Sequence, residues 1–451
     1  MLFKHDTICA LSTPPGISGI AVIRISGKEA IKTADKIFRG NINLSKARSR
    51  QLNFGRILAD DQIIDEVMIT VFREPKSYTG EDLVEISCHG SMFIINRVIK
   101  LLLKNIRLAE PGEFTQRAFL NNKLGLTQAE AIGDLLNSQT QYSHLVAMQQ
   151  LEGTLRKKIE NLLEKLTDIR TKIELEIDFL EQRLEQLDNR KLIPELDELH
   201  SQLMDLVNSG EEGIILRDGL RLSLVGAPNV GKSSIFNAFL KTERAIVTPH
   251  PGTTRDYLEE IISLKGYLVK IYDTAGIRET NDQIEKIGIE RSYSIIKESH
   301  KVIFIIDGNE NLREYRQLKQ LIPEEKIIKV INKSDKLDKK ELNFYKVKGY
   351  VACSAKLKDG LNCLKQSILK EILIDPETVK SGILSNTRQV SAAKRAAKSV
   401  SKAIKSIQNN LGYEFTAFDL KEASSALEEI IGKITDDDIL NRIFENFCIG
   451  K

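Results

Sequence analysis

Over the first 120 positions, short apolar and β-branched runs alternate with turn residues, as in DTICALSTPPGISGIAVIRISG and VMITVFREPKSYTGEDLVEISCHG, before the helical stretch FIINRVIKLLLK. This pattern predicts a compact α+β domain over residues 1–120. From about 121 to 215 the period changes. After an opening loop the turn signals nearly vanish, and LEGTLRKKIENLLEKLTDIRTKIELEIDFLEQRLEQL sets apolar residues three and four apart, the helical period. Residues 216–376 return to strand patterns, LRLSLVG, KGYLVKIYDTAG, KVIFIIDG and KIIKVINKSD, alternating with helical ones. Residues 377–451 are again helical, through SAAKRAAKSVSKAIKSIQ and LKEASSALEEIIGK. The simplest arrangement is one helical bundle domain split in sequence, with an α/β domain inserted at a surface loop. Two separate helical domains are the alternative, and the long helices suit either a plain bundle or a dimerising surface.

Composition narrows this only a little. The chain has 451 residues, too many for one domain of ordinary size, so roughly two to four domains are expected. Hydrophobic residues make up 41% and charged residues 29%, as in soluble globular proteins. The net charge of +3 advertises no global polycation, though it leaves room for a local basic patch. No apolar run is long enough for a bilayer, and His5, Asp6 and a Pro pair interrupt the N-terminal segment, which excludes a signal peptide. Cys9, Cys88, Cys353, Cys363 and Cys448 are scattered and odd in number. They point to a reducing, cytoplasmic setting and away from a disulfide scaffold.

The chemistry sits in the α/β segment. Between a strand pattern and an amphipathic helix lies Gly226-Ala227-Pro228-Asn229-Val230-Gly231-Lys232-Ser233, followed by Ser234. This GxxxxGKS loop wraps phosphates with backbone N–H groups, brings Lys232 to the β- and γ-phosphates and offers Ser233 to Mg²⁺. Asp273-Thr274-Ala275-Gly276 follows the next strand; Asp273 is expected to hold the metal through water and Gly276 to sense the γ-phosphate. In Asn332-Lys333-Ser334-Asp335 the carboxylate can accept from guanine N1–H and the exocyclic amine, an edge that adenine lacks. In Cys353-Ser354-Ala355-Lys356 the Ala355 N–H can reach guanine O6. Four motifs in order select GTP over ATP. In the candidate switch from Lys241 to Glu260, Thr253 or Thr254 is expected on Mg²⁺. After DTAG stands Ile277, which cannot polarise water, so hydrolysis needs another group; Glu279, Asp282, Glu285 and Glu290 are all candidates by pattern.

STPPGISGIAVIRISG, SYTGEDLVEISCHG, PGEFTQRAFLNNKLGLTQAEAIGDLL, GIERS and the terminal FENFCIGK are not general features of such domains. Through them the whole chain resembles the MnmE/TrmE family of tRNA modification GTPases, which are Era-like and potassium-activated. The resemblance implies an N-terminal domain that dimerises and binds a folate, a helical domain built from both sides of the G domain, and an FAD-containing MnmG/GidA-type partner. Together the two proteins would install an aminomethyl or carboxymethylaminomethyl group at C5 of the wobble uridine (position 34) of certain tRNAs. A tetrahydrofolate such as 5,10-methylenetetrahydrofolate would supply the carbon. Family motifs match Asn229 to a potassium ligand, the Thr248–Thr253 loop, with His250 in it, to carbonyls closing over the ion, Glu285 to the water-orienting residue and Arg278 to a switch residue. Arg24, Glu81, Glu85, Arg117, Lys123 and Lys451 are the matching folate candidates. Two departures stand out: Pro249-His250-Pro251 where the family often has Asp-Ile-Ala, and Cys88-His89-Gly90-Ser91 where it has Cys-His-Gly-Gly. Ser91 is expected to be tolerated unless a positive φ is needed there. Cys448 suits packing or a role near the folate.

Lys394, Arg395, Lys398, Lys402 and Lys405 recur at helical spacing. The stripe is either a solvated face, a contact for tRNA phosphates, or one for an acidic partner surface. A GTP-switched ribosome assembly factor is the competing function, disfavoured by the N-terminal segments and the FCIGK tail. A structural dimer that barely turns over GTP is disfavoured by intact Lys232, Asp273 and Glu285.

Overall fold

The computed structural model describes residues 6–178, 189–242, 244–245, 259–273, 292–308, 312–370, 379–434, 437–445, 447 and 449–451. The chain divides into two compact units, Met1–Gly133 with Ile159–Glu164 and Ser424–Lys451, and Asp134–Lys158 with Lys165–Ala423. The division cuts across both helical segments of the sequence. Among the described residues no helix is long and apolar enough to cross a membrane.

The first unit carries a sheet of seven strands: β1 (Ile8–Leu11), β2 (Ser18–Ser26), β3 (Phe38–Gly40), β4 (Leu52–Ala59), β5 (Gln62–Phe72), β6 (Leu83–Gly90) and β7 (Arg107–Leu108). Their order is β3-β4-β5-β6-β2-β1-β7. All neighbours are antiparallel except β1 and β7. Alternation in β4 buries Asn53, Gly55, Ile57 and Ala59 and leaves Leu52, Phe54 and Arg56 outside, as a one-sided sheet requires. Its inner face, with Ile23, Ile57, Ile69 and Ile86, packs on the apolar stripes of the helices Ala30–Ile37 and Met92–Leu102. The C-terminal tail closes on the same unit: Ile449 bridges Pro111, and the Ser12 hydroxyl donates to the Gly450 carbonyl at 3.0 Å.

The second unit holds the α/β domain. Its strands are β8 (Leu220–Val225), β9 (Arg244–Ala245), β10 (Glu259–Leu264), β11 (Tyr267–Asp273), β12 (Lys301–Ile306), β13 (Ile327–Ile331) and β14 (Val351–Ala352). The order β14-β13-β12-β8-β11-β10-β9 is parallel from β14 to β11 and antiparallel beyond. β12 is buried at every position, which is why Val302–Ile306 is a continuous apolar run rather than an alternating one. Helices from both sides of this domain pack together: Asn189–Asp218 lies against Thr387–Gln408. Glycines make that approach possible. A Cβ on Gly213 would stand 1.9 Å from the Leu384 carbonyl, and one on Gly210 2.5 Å from Val390. The fold is thus multidomain: an α+β sheet domain, helical structure split in sequence, and an inserted α/β P-loop G domain.

Candidate guanine nucleotide site

β8 has β12 on one side and β11 on the other, so the crevice beyond its C-terminal end is where an α/β sheet of this kind takes ligands. The loop from Gly226 to Gly231 leaves β8 there and enters the helix Lys232–Thr242. Two glycines in it are required. Gly226 has φ +155° and a Cβ would lie 2.3 Å from the Ile305 carbonyl, while Gly231 has φ +98° and a Cβ would lie 2.2 Å from Asn332 Nδ2. Lys232 Nζ donates to the carbonyls of Gly226 and Ala227 at 2.8 and 3.1 Å, so the ammonium is held over the loop. With the helix N-terminus behind it, this end of the site is electropositive. Val230 is buried behind the loop, and Ser234 is exposed on the first turn of the helix. The Ser233 hydroxyl stands 3.3 Å from Asp273 Oδ2 at the end of β11, which brings two oxygen donors together as a hard divalent cation needs.

The base end is organised by Asn332, only 2% exposed. Its Nδ2 donates to the Val230 carbonyl at 2.9 Å, its Oδ1 accepts from the Ala355 N–H at 3.2 Å, and its backbone N–H donates to the Ile306 carbonyl at 2.8 Å. One side chain thereby ties the phosphate loop to the loops after β13 and β14. The Ala355 N–H, expected on guanine O6, is engaged by Asn332 in this structure. Lys333, in the left-handed region at φ +57°, donates to the Asn229 carbonyl at 2.8 Å and to Asp307 at 2.6 Å. Asp335 is exposed and accepts from the Ser354 hydroxyl at 2.6 Å. That bond, and more weakly the charges of Lys356 and Lys336, hold its carboxyl below the ordinary carboxylate range. A carboxylate has about four acceptor positions, so the Ser354 bond leaves room for two guanine N–H donors.

The N-terminal candidates have a different fate. Arg117 is 1% exposed, and its guanidinium reaches Asp6 at 3.0 Å, Glu81 at 3.1 Å and Glu113 at 2.8 Å. Arg107 completes the cluster on Asp6 and Glu113. Glu81 also accepts from Ser26 at 2.8 Å. Arg24 pairs with Glu85, directly opposite on β6, at 2.7 Å and lies over the Tyr78 ring. Lys123 Nζ donates to the Pro75 carbonyl at 3.0 Å, and Lys451 is half-buried at the chain end. Arg117 therefore cannot meet a folate carboxylate without giving up its own partners. Sequence reasoning missed Asp6, Arg107 and Glu113; the Glu113–Arg117 spacing of four on one helix was the available signal. It also missed Asp307, whose signal was its place just past a buried strand. Thr248, His250, Thr253, Thr254, Thr274, Ala275, Gly276, Arg278, Glu285 and Cys448 lie outside the described residues.

Comparison with known proteins decides the family. A model of the MnmE helical domain matches residues 126–448, and one of the GTP-binding protein TrmE N-terminus matches residues 7–123. The chain belongs to the MnmE family of tRNA modification GTPases. A tRNA modification GTPase MnmE of Carboxydothermus hydrogenoformans is 42% identical over 461 residues, covering 99% of this chain and all of that one (100%). Its counterpart in Acetivibrio thermocellus is 38% identical over 459 residues and 100% of both chains. Among solved structures, the G domain of the T. maritima FeoB iron transporter aligns with 34% of this chain and 97% of its own, at 29% identity and a TM-score of 0.27. Against the MnmE pattern, Ser91 proves harmless: at φ −108° and ψ 127° it begins the helix Met92–Leu102 in extended backbone that any residue adopts. Gly90 is the constrained position, since a Cβ there would stand 2.4 Å from the Ser18 carbonyl.

Proposed function

We propose that this chain, as an MnmE-family GTPase, binds GTP in the crevice beyond β8, hydrolyses it, and through that cycle serves tRNA modification. The observation that carries the reading is the Asp335–Ser354 pair joined through Asn332 to the phosphate loop, a guanine-selective end built onto a triphosphate end. Lys232 would meet the β- and γ-phosphates. Mg²⁺ would be held by Ser233, Asp273 and Thr254, and K⁺ by Asn229 with backbone oxygens from Thr248, His250 and Thr253. The two cations supply positive charge beside the bridging oxygen as it becomes negative. Glu285 would orient the attacking water, with Arg278 acting in the switch. Thr274, Ala275 and Gly276 would follow the γ-phosphate, and Lys333 and Lys356 would flank the base.

The finer reading is a cytoplasmic homodimer working with an MnmG/GidA-type FAD protein on the wobble uridine, with 5,10-methylenetetrahydrofolate or a related folate as carbon donor. Exposed Leu52, Phe54, Ile63 and Met68 on the outer side of β4 and β5 support the dimer. A folate would meet Arg24, Glu85, Lys123 and Lys451, with Arg117 acting behind Glu81. The test is GTP hydrolysis by the full chain in potassium and in sodium at matched ionic strength with Mg²⁺. Much faster turnover in potassium, lost in Asn229→Ala and in Glu285→Ala, is expected. Equal rates in both salts would overturn the potassium role.

A further inference from the structure

The whole chain carries a net charge of +3, yet residues 336–358 alone hold seven lysines against two acids, Asp338 and Glu341. Those two acids cap the start of the helix Lys339–Val347: Asp338, just before it, accepts from the Glu341 N–H at 2.8 Å, and Glu341, in its first turn, accepts from the Asp338 N–H at 3.0 Å. Among the described residues, no ion pair joins Lys336, Lys339, Lys340, Lys346 or Lys358 to an acid. Apolar groups stand between these charges. Phe344 is 53% exposed, Val347 80% and Leu357 64%, and Lys348 Nζ lies 4.1 Å from the Phe344 ring centroid. A cavity of about 460 Å³ opens beside edge strand β14, walled by Leu342, Lys346, Tyr350 and Leu357. Asp335 and Ser354, the guanine-selecting pair, form part of the same wall.

We propose that this lysine-rich face of the α/β domain docks RNA, with phosphates on Lys339, Lys340 and Lys346 and a base against the exposed ring of Phe344. The inference rests on the tRNA modification reading above. RNA fits better than an acidic protein face for two reasons. All seven positive residues are lysines, point charges on flexible stems that can follow a phosphate backbone without a fixed geometry. Lysine is also depleted in protein–protein interfaces, whereas an exposed ring within a positive groove is the arrangement that single-stranded nucleic acid uses. Because Lys336 and Lys356 act electrostatically on Asp335, phosphates bound beside them alter the field at the base-selecting carboxylate. RNA and guanine nucleotide affinities are then coupled, by the same factor in both directions.

The probe is a fluorescently labelled, unmodified tRNA transcript, titrated with the full chain at several salt concentrations. In the triple variant K339Q/K340Q/K346Q the salt slope should fall by about 2 and affinity near 0.1 M salt by at least about tenfold. Phe344→Ala should weaken binding by roughly fivefold or more with the slope unchanged. tRNA should shift GDP affinity in the wild type and not in the triple variant. GTP turnover without RNA, measured on the same samples, should stay within about twofold, since the substitutions leave Lys232, Ser233, Asp273, Asn332 and Asp335 in place. Unchanged tRNA affinity and slope in the triple variant would overturn the proposal, as would a wild-type chain that binds no tRNA. Displacement of tRNA by polyglutamate at matched charge would overturn it in favour of an acidic protein partner. Loss of GTP turnover in the wild type, with tRNA binding intact, would strike the GTPase reading alone.

Discussion

The arginine cluster of the N-terminal domain and the guanine end of the α/β domain are both networks of polar side chains, and they have opposite fates. Around Arg117, Asp6, Glu81 and Glu113 meet cations of their own chain, and the arginine is sealed from water. Around Asn332 the buried member is a neutral amide that satisfies backbone groups on two other loops, while the charged member, Asp335, stays in solvent. A site that must receive a ligand keeps its charge accessible and holds it from behind with neutral hydrogen bonds. A cluster that buries its charges has used them in folding, because a buried ion pair is sustained only by the partners it already has.

Removing a member of each network separates the two behaviours. Arg117→Ala takes the buried guanidinium away from Glu81 and leaves Glu113 and Asp6 to Arg107 alone, and should destabilise the first unit by about 3–5 kcal/mol, read by denaturant unfolding of the full chain. Survival of a normal stability would mean that the cluster is a ligand site after all. Asp335→Asn should leave stability nearly unchanged but lower GTP affinity roughly hundredfold, because two charge-assisted hydrogen bonds are lost. Xanthosine triphosphate, which offers an acceptor where guanine has its amine, should recover part of that binding; failure to do so would place the base elsewhere. Asn332→Ala lies between the two and should cost about 1–3 kcal/mol in stability, since the Val230 carbonyl loses its donor, together with a measurable fall in nucleotide affinity.

The mildest probe is pH. Burial pulls the Glu113 carboxyl up, but the hydrogen bonds from Arg107, the Glu110 N–H and Arg117 outweigh it and leave it below the ordinary value. Asp6 behaves alike: burial raises it, and Arg107 and Arg117 more than offset that. With folded pKa values depressed, the unfolded chain binds more protons, so this stabilisation is complete above the ordinary carboxylate pKa and is lost as pH falls through the folded values. Hydrogen exchange on β1 and β7 should therefore accelerate relative to β11 and β12 between about pH 4 and pH 2, within the ordinary carboxylate range and below. Equal acceleration would place the acid-sensitive groups outside the cluster.

Much of this was legible before any coordinates. Periods of two and three to four residues marked strands and helices because each buries a stripe set by its own geometry. GxxxxGKS, NKSD and CSAK were readable because their backbone demands and base-edge chemistry confine the residue types locally. Local order could not say which charges would be spent on one another. Arg117 reads like a ligand until Asp6, more than a hundred residues away in the chain, and Glu81 are brought against it. Nor could it say that the Asn332 side chain would reach the phosphate loop, or that Gly213 would leave room for the Leu384 carbonyl. Sequence alone determined the elements, the nucleotide motifs and the family, since these follow from period and local chemistry. Tertiary structure decided which polar groups remained available, because desolvation and pairing depend on neighbours that only the folded chain assembles.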